Sequence, residues 1–187
     1  MRQITGVAFI RVQMDLQLGA GVHATQQILQ NHRTRAFHAQ IKPIANLFAS
    51  NREADLVMLG GYVYPKTGVA LGPLTVQMMR DIHVRKAVLS VGGITAKGLF
   101  NSNMLLVETE QQMMRCADEV VVVADHTKIS RQALAFLCEL SAIHTLVVDA
   151  GLTRTQKEMI ERARVKLIQA GENQPSDQSE PVLRDRK

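Results

Sequence analysis

Two apolar runs near the middle of the chain each end in a cluster of small or polar residues. KAVLSV leads into Gly92-Gly93, and EVVVVA leads into Asp125-His126-Thr127-Lys128. If both runs are strands of an open α/β sheet, these clusters lie in the crevice beyond the carboxyl ends of the strands, where such sheets bind ligands. An Asp there can hold sugar hydroxyls, while Lys128 and Thr127 can bind a phosphate by charge and hydrogen bonding. The alternative is an Asp that only caps a turn, followed by an exposed Lys.

Two other glycine-containing loops lie next to a predicted helix or strand. Gly19-Ala20-Gly21-Val22-His23 comes before a helix predicted from Ala24, so it is either an anion site at a helix N-terminus or an ordinary glycine-rich turn. Gly60-Gly61 follows the run DLVML, where the chain must turn sharply. Lys66, further along that loop, can reach an anion or stay in solvent.

The loop after Gly92-Gly93 leads into a predicted helix that carries two carboxylates. Ser102 or Asn103 is a plausible N-cap of that helix. Glu108 and Glu110 are two residues apart, so they point to different helix faces. Only one of them can therefore face the crevice.

The alternation of β-branched runs with amphipathic segments predicts βαβ units and an α/β fold with a doubly wound, mostly parallel sheet. The predicted strands are Val7–Val12, Leu56–Leu59, Ala87–Val91, Val120–Ala124, Thr145–Val148 and Val165–Ile168. The predicted helices are Ala24–Gln30, Ile44–Ala49, Pro73–Asp81, Asn103–Cys116, Arg131–Leu137 and Thr155–Ala163.

The composition favours one domain over residues 1–171, followed by a disordered tail over residues 172–187. The tail contains two prolines, mixed charges and almost no apolar residues, so it cannot offset its ordering entropy by burial. The formal net charge is +5, but the basic residues are scattered and aromatic residues are few, which argues against direct nucleic-acid binding. Cys116 and Cys138 lie in segments predicted to be helical and are expected to be reduced thiols.

Several other classes of protein are disfavoured. The histidines form no pair at metal-ligand spacing, and no P-loop, GxSxG or GxGxxG motif is present, so we expect neither metal nor cofactor. No signal peptide or apolar stretch of membrane-spanning length is visible, so we expect a cytoplasmic protein without membrane contact.

Several stretches in order resemble the C-terminal effector-binding domain of DeoR-family transcriptional regulators. They are PIANLFASNREADLVMLGG, TGVALGPLTVQMMRDIHVRKAVLSVGGITAKGLFNSNMLLVETEQQMM, ADEVVVVADHTKISRQAL and LSAIHTLVVDAGLT. The resemblance covers roughly residues 43–153. It implies a fold similar to that of ribose-phosphate isomerase, glucosamine-phosphate deaminase and the coenzyme A transferases.

The resemblance also implies a set of effector-binding residues. Gly60, Gly61, Gly92, Gly93, Glu108, Asp125 and Lys128 stand where the family pattern expects them, and His126 and Thr127 lie within the same turn. Gly19 to His23 matches an Asp-Ala-Gly-Thr-Thr phosphate loop, but Val22 and His23 lack the threonine hydroxyls. Just before Pro43 the family usually has a Thr-Asn-Ser type strand end, whereas this chain has Ala39-Gln40-Ile41-Lys42. Lys42 can serve there as an anion binder.

These features lead to one main functional hypothesis and two alternatives. The main hypothesis is a sensor for a phosphorylated sugar or related metabolite. We expect it to form a homodimer or homotetramer. Operator DNA would be bound only through an N-terminal winged helix-turn-helix, which this sequence lacks. The first alternative is a sugar-phosphate isomerase that uses Glu108, Asp125 and Lys128. The second is an assembly module whose pocket has decayed.

Overall fold

Short apolar strands and connecting helices form a layered α/β structure. The structure, a computed structural model, describes residues 7–10, 36–39 and 55–170, with side chains from residue 56 onward. In chain order the strands are β1 Val7–Ile10, β2 Ala36–Ala39, β3 Asp55–Met58, β4 Tyr62–Tyr64, β5 Val69–Leu71, β6 Val84–Leu89, β7 Gly93–Thr95, β8 Gly98–Asn101, β9 Ala117–Ala124, β10 Ala135–Cys138, β11 Thr145–Asp149 and β12 Lys166–Ala170.

Three α-helices and two short 3-10 turns connect the strands within the described ranges. The helices are α1 Pro73–Met79, α2 Met104–Arg115 and α3 Arg154–Arg162, and the 3-10 turns are His126–Lys128 and Leu140–Ala142. Asn103 caps α2, because its side chain accepts a hydrogen bond from the backbone N–H of Leu105. Thr153 and Gln156 form a capping box at the start of α3. None of the described helices is long and apolar enough to cross a bilayer.

Seven of the strands form one sheet in which every pairing is parallel. Their order is β12-β11-β9-β6-β1-β2-β3. Val120–Val123 in β9 are each at most 5% exposed, so both faces of this strand are covered, as parallel sheets require. From β1 the chain first moves outward to β3 and then returns to the other side of β1 with β6. The sheet therefore has its topological switch point between β1 and β6.

Two small antiparallel sheets lie in the connections. One is the hairpin of β4 and β5, which leads from β3 towards α1. The other contains β10, β8 and β7 in that order. The second sheet is built from the segments that follow β6 and β9, so it belongs to the carboxyl edge of the large sheet.

The predicted fold class is confirmed, and most predicted elements in the described residues are confirmed within a few residues. The prediction of a helix over Arg131–Leu137 is wrong, because β10 occupies Ala135–Cys138. Buried Ala135 and Leu137 alternate with exposed Phe136, which is the period of a strand, and β10 pairs with β8. The placement of Cys138 in a helix is wrong for the same reason. The prediction also omitted β2, β4, β5, β7 and β8.

Some predictions fall on residues that the structure does not describe. They are the helices Ala24–Gln30 and Ile44–Ala49, the end of the first strand, and the tail over residues 172–187. They stay predictions.

Gly93 permits a close contact between two segments at the carboxyl edge. A Cβ at this position would overlap the carbonyl oxygen of Arg131 and would lie 2.9 Å from its carbonyl carbon and 3.3 Å from the backbone nitrogen of Ala133. These are backbone atoms, which cannot rotate away. The chain after the turn at residues 126–128 can therefore pass directly over the start of β7 only because residue 93 has no side chain.

We therefore expect Gly93→Ala to lower the free energy of unfolding by about 1–3 kcal/mol, through overpacking against backbone. Chemical denaturation measures this change. Gly60→Ala is the matched control, because the nearest atom to its Cβ is Met78 Sδ at 3.7 Å and its backbone conformation is ordinary. Equal unfolding midpoints for Gly93→Ala and the unmodified protein would contradict the packing described here.

Candidate functional site

The polar cluster after β9 folds into a tight 3-10 turn at the carboxyl edge of the sheet. Asp125 is 9% exposed and caps the turn. Its Oδ1 accepts hydrogen bonds from the backbone N–H of Thr127, at 3.0 Å, and from the Thr127 hydroxyl. The structure thus shows the capping role for Asp125, while Lys128 is half-buried rather than fully exposed.

The backbone N–H groups of this turn are used within the protein. The N–H of Lys128 donates to the carbonyl of Asp125 at 3.0 Å, that of Ile129 to the carbonyl of His126 at 3.1 Å, and that of Ser130 to the carbonyl of Ile94 at 2.7 Å. The turn therefore offers no cradle of unpaired amides to an anion. Binding of an anion here depends on side chains.

His126 is held by a carboxylate from the neighbouring strand. Its backbone N–H donates to Oδ1 of Asp149 at 2.6 Å, and its ring Nδ1 lies 2.8 Å from Oδ2 of the same residue. The hydrogen bond and the charge of Asp149 raise the pKa of His126 above its ordinary value of 6.5, with a smaller contribution from the charge of Asp125. The His126 side chain stays 44% exposed, so its ring is fixed on one side and accessible on the other.

The Gly92-Gly93 loop contacts the segment that follows the polar turn. Ile94 forms an isolated parallel bridge with Ile129, which follows the turn. A Cβ on Gly92 would lie 3.1 Å from the Cβ of Ala133. The structure therefore brings the Gly92-Gly93 loop against residues 129–133, and these residues fill space beside both glycines.

Gly60-Gly61 lies apart from the polar turn. In the order of the sheet β3 is four strand spacings from β9, which is roughly 19 Å at the strand ends. Gly61 has φ +137°, and a Cβ there would overlap the hydroxyl of Thr75. That hydroxyl donates to the carbonyl of Gly60 at 2.7 Å, so the pair sets the entry into α1.

The two carboxylates of α2 have different surroundings. Glu108 is exposed, whereas Glu110 is completely buried and accepts hydrogen bonds from Nδ2 of Asn101 at 2.9 and 3.1 Å. Asn101 belongs to β8, so this contact joins α2 to the small sheet. The expectation that the two residues occupy different faces is confirmed, and the residue that the resemblance selects, Glu108, is the exposed one.

Six of the predicted site residues lie outside the described part of the chain. They are Gly19, Ala20, Gly21, Val22, His23 and Lys42. Their contribution to the site stays a prediction.

Asp149 is the residue that the sequence predictions missed. It ends an apolar run, TLVV, in the same way that Asp125 follows EVVVVA. Because β11 pairs with β9 in parallel, both carboxylates come to the same edge of the sheet. The pattern that drew attention to Asp125 therefore applied equally to Asp149.

Comparisons with known proteins identify the family. A family model described as the DeoR C terminal sensor domain matches residues 12–150. The L-fucose operon activator of Haemophilus influenzae is 25% identical over 124 residues, which cover 66% of this chain and 50% of that protein. The glycerol-3-phosphate regulon repressor of the same organism is 26% identical over 147 residues, with coverages of 76% and 57%.

A third relative has a higher identity. The transcriptional repressor AccR of Agrobacterium fabrum is 32% identical over 158 residues, which cover 82% of this chain and 61% of that protein. The chain thus spans about half the length of the curated relatives it matches. Since the family match extends over well more than half of the chain and the parallel α/β sheet agrees with it, this chain belongs to the DeoR family, as a C-terminal sensor domain.

Proposed function

We propose that this domain binds a phosphorylated sugar or a related phosphorylated metabolite and thereby controls DNA binding by a winged helix-turn-helix in a full-length regulator. The observation that supports the proposal is the turn at residues 125–128 at the carboxyl end of β9, which carries Lys128 and a His126 ring that is held by Asp149 and is 44% exposed. Two cationic or partly cationic side chains at the carboxyl edge of a parallel sheet suit a phosphate group.

The names of the relatives support this class of ligand. They refer to a fucose operon and to a glycerol-3-phosphate regulon, both concerned with small polyhydroxylated metabolites. A ligand can shift the conformation or assembly of a regulator only through different affinities for two states. The binding site is therefore the part of the proposal that this chain can test by itself.

Other predicted residues complete the proposed site. We propose that Gly19–His23 and Lys42 contribute further contacts to the phosphate. Asp125 retains Oδ2 as an acceptor for a sugar hydroxyl, since its capping bonds use Oδ1. Glu108 stays a proposed contact that would be reached from the exposed face of α2.

Self-association is a further part of the proposal. Large apolar side chains are exposed on the two helices that contact each other, including Leu74 at 66% and Met78 at 46% on α1, and Met104 at 67% at the start of α2. Burying such side chains against a second copy stabilises a dimer or tetramer.

An isomerase activity fits the geometry less well. Proton transfer between adjacent carbons needs an available carboxylate base. Asp125 caps its turn through Oδ1 and keeps only Oδ2 for a ligand, and Glu108 lies on an exposed helix face. The three relatives described above are named as regulators of transcription, which also favours a sensor.

The proposal predicts that phosphorylated compounds raise the thermal unfolding midpoint. A panel of phosphorylated sugars and sugar alcohols, with glycerol 3-phosphate included, is compared with the unphosphorylated counterparts. At a hundredfold excess over Kd, a ligand should stabilise the domain by about 2.7 kcal/mol, or roughly 5–10 °C. Lys128→Ala should weaken the affinity about 10- to 100-fold, because it removes a charged hydrogen-bond donor.

Lys166→Ala is the control for this substitution. Lys166 is an exposed lysine that begins β12, at the opposite edge of the sheet, so its loss should leave the affinity unchanged. Equal losses for both variants would indicate a general charge effect, and an unchanged affinity in Lys128→Ala would refute the assignment of the site.

We also expect no interconversion of ribose 5-phosphate and ribulose 5-phosphate. Purified protein incubated with either compound should form product no faster than buffer does, as followed by NMR. Turnover that disappears in Asp125→Asn would instead establish the isomerase alternative.

A further inference from the structure

Asp149 has a structural position that the proposed function does not yet explain. Its carboxylate ends β11 and holds the first residue of the neighbouring turn at two points, the backbone N–H and the ring Nδ1 of His126. The second contact fixes the orientation of the imidazole.

The contact with Asp149 also determines which ring nitrogen can serve a ligand. Because Nδ1 faces a carboxylate at 2.8 Å, it carries hydrogen in both the neutral and the charged ring. Nε2 has no hydrogen-bond partner among residues 56–170. The charged ring therefore has one N–H left to donate, on a side chain that is 44% exposed.

A glycine in the loop after β11 packs against the imidazole ring of His126. Gly151 has φ +119°, and a Cβ there would lie 3.2 Å from Cγ and 3.4 Å from Cδ2 of His126. The ring thus packs against the backbone of the loop that leads into α3. Asp149 and Gly151 together restrict the ring to one orientation.

We propose that Asp149 is a positioning residue of the ligand site, which holds His126 so that Nε2–H donates a hydrogen bond to an oxygen of the bound phosphate. This inference rests on the proposed function, since it names the donor that the same site uses. The backbone amides of the turn are already paired, so side-chain donors must supply the contacts to the phosphate. His126 supplies one directed donor, and Lys128 supplies charge.

The arrangement makes ligand binding dependent on pH. The charged groups that act on the ring are Asp149 from β11 and, more weakly, Asp125 from its own turn, while Gly151 brings no charge. The hydrogen bond and charge of Asp149 hold the pKa of His126 above 6.5, so the donor at Nε2 persists to higher pH than in a free histidine. Without Asp149, the donor is lost at lower pH.

The same pKa shift predicts a dependence of stability on pH. Since the folded protein has the higher pKa, the contribution of charged His126 to stability is fully present below about pH 6.5 and is lost as the pH rises through the folded pKa. The destabilisation caused by Asp149→Asn should therefore be largest near pH 6 and should shrink towards pH 9. Denaturant unfolding at several pH values measures it, and a destabilisation that does not vary with pH would contradict the role of the charged ring.

A double-mutant cycle tests the positioning role. Isothermal titration with glycerol 3-phosphate and with inorganic phosphate is done on the unmodified protein, Asp149→Asn, His126→Gln and the double variant. We expect about a tenfold loss of affinity at pH 7 for each single variant. If Asp149 acts through His126, then Asp149→Asn should cost less than twofold in the His126→Gln background.

Titration of the histidines by NMR gives a readout that does not depend on any ligand. In the unmodified protein His126 should titrate above 6.5 and carry its neutral hydrogen on Nδ1, and in Asp149→Asn its pKa should fall. Asp118→Asn is the matched control, since it removes the partner of another histidine, His83, at 3.1 Å on the opposite edge of the sheet. This control should leave both phosphate affinity and the titration of His126 unchanged.

The outcomes separate this inference from the proposed function. An unchanged pKa of His126 in Asp149→Asn, or an equal loss of affinity in both backgrounds, would overturn the positioning role. If Lys128→Ala weakens binding while the His126 and Asp149 variants do not, the inference fails and the proposed function stands. If neither phosphate probe nor any phosphorylated sugar binds the unmodified protein, both fail. Should Asp149→Asn not fold, the pH dependence of affinity decides: the unmodified protein should show a step beyond that caused by the second ionisation of the phosphate itself, and His126→Gln should show only the step of the phosphate.

Discussion

The parallel pairing of β6, β9 and β11 is the constraint on which the rest of the structure depends. Their near-continuous valine, leucine and alanine runs are buried on both faces, as the central strands of a parallel sheet require. Because the pairing is parallel, the residues that end these strands must meet at one edge. Asp149 can therefore bind the turn after β9, although the two lie 23 residues apart in the chain.

The carboxyl edge combines rigid supports with a few accessible side chains. Asp125 caps the turn, Gly93 lets the following chain pass over β7, and Asp149 holds the first residue of the turn. These contacts fix the backbone of the edge, and for the proposed ligand such an ordered site would reduce the entropy that binding must offset. Gln156, in the first turn of α3, lies 3.4 Å from the hydroxyl of Ser130 just beyond the turn. The segment just beyond the turn is thus connected to α3 by a side-chain contact.

The sequence allowed the parallel α/β class and the polar turn to be predicted, because long valine runs and a strand-end Asp have local signatures. It did not reveal β10, since RQALAFLCEL is composed of good helix formers and only the pairing with β8 makes it a strand. Asp149 carries the same strand-end signature as Asp125, but its double contact with His126 depends on which strands are neighbours. The sequence marked Gly61, Gly92 and Gly93 as special positions. It did not show that Thr75, Ala133 and Arg131 of the same chain fill the space that a side chain would need there.

The most direct test of the central claim is to map a bound ligand on the backbone amides by NMR. The domain is titrated with the phosphorylated compound that stabilises it most, and shifts are followed for every assigned amide. Perturbations should concentrate at residues 92–93, 125–130 and 149–151, and they should vanish with the unphosphorylated counterpart. Perturbations concentrated elsewhere, such as along α3 or at Gly60-Gly61, would contradict a phosphate site at the carboxyl ends of β6, β9 and β11.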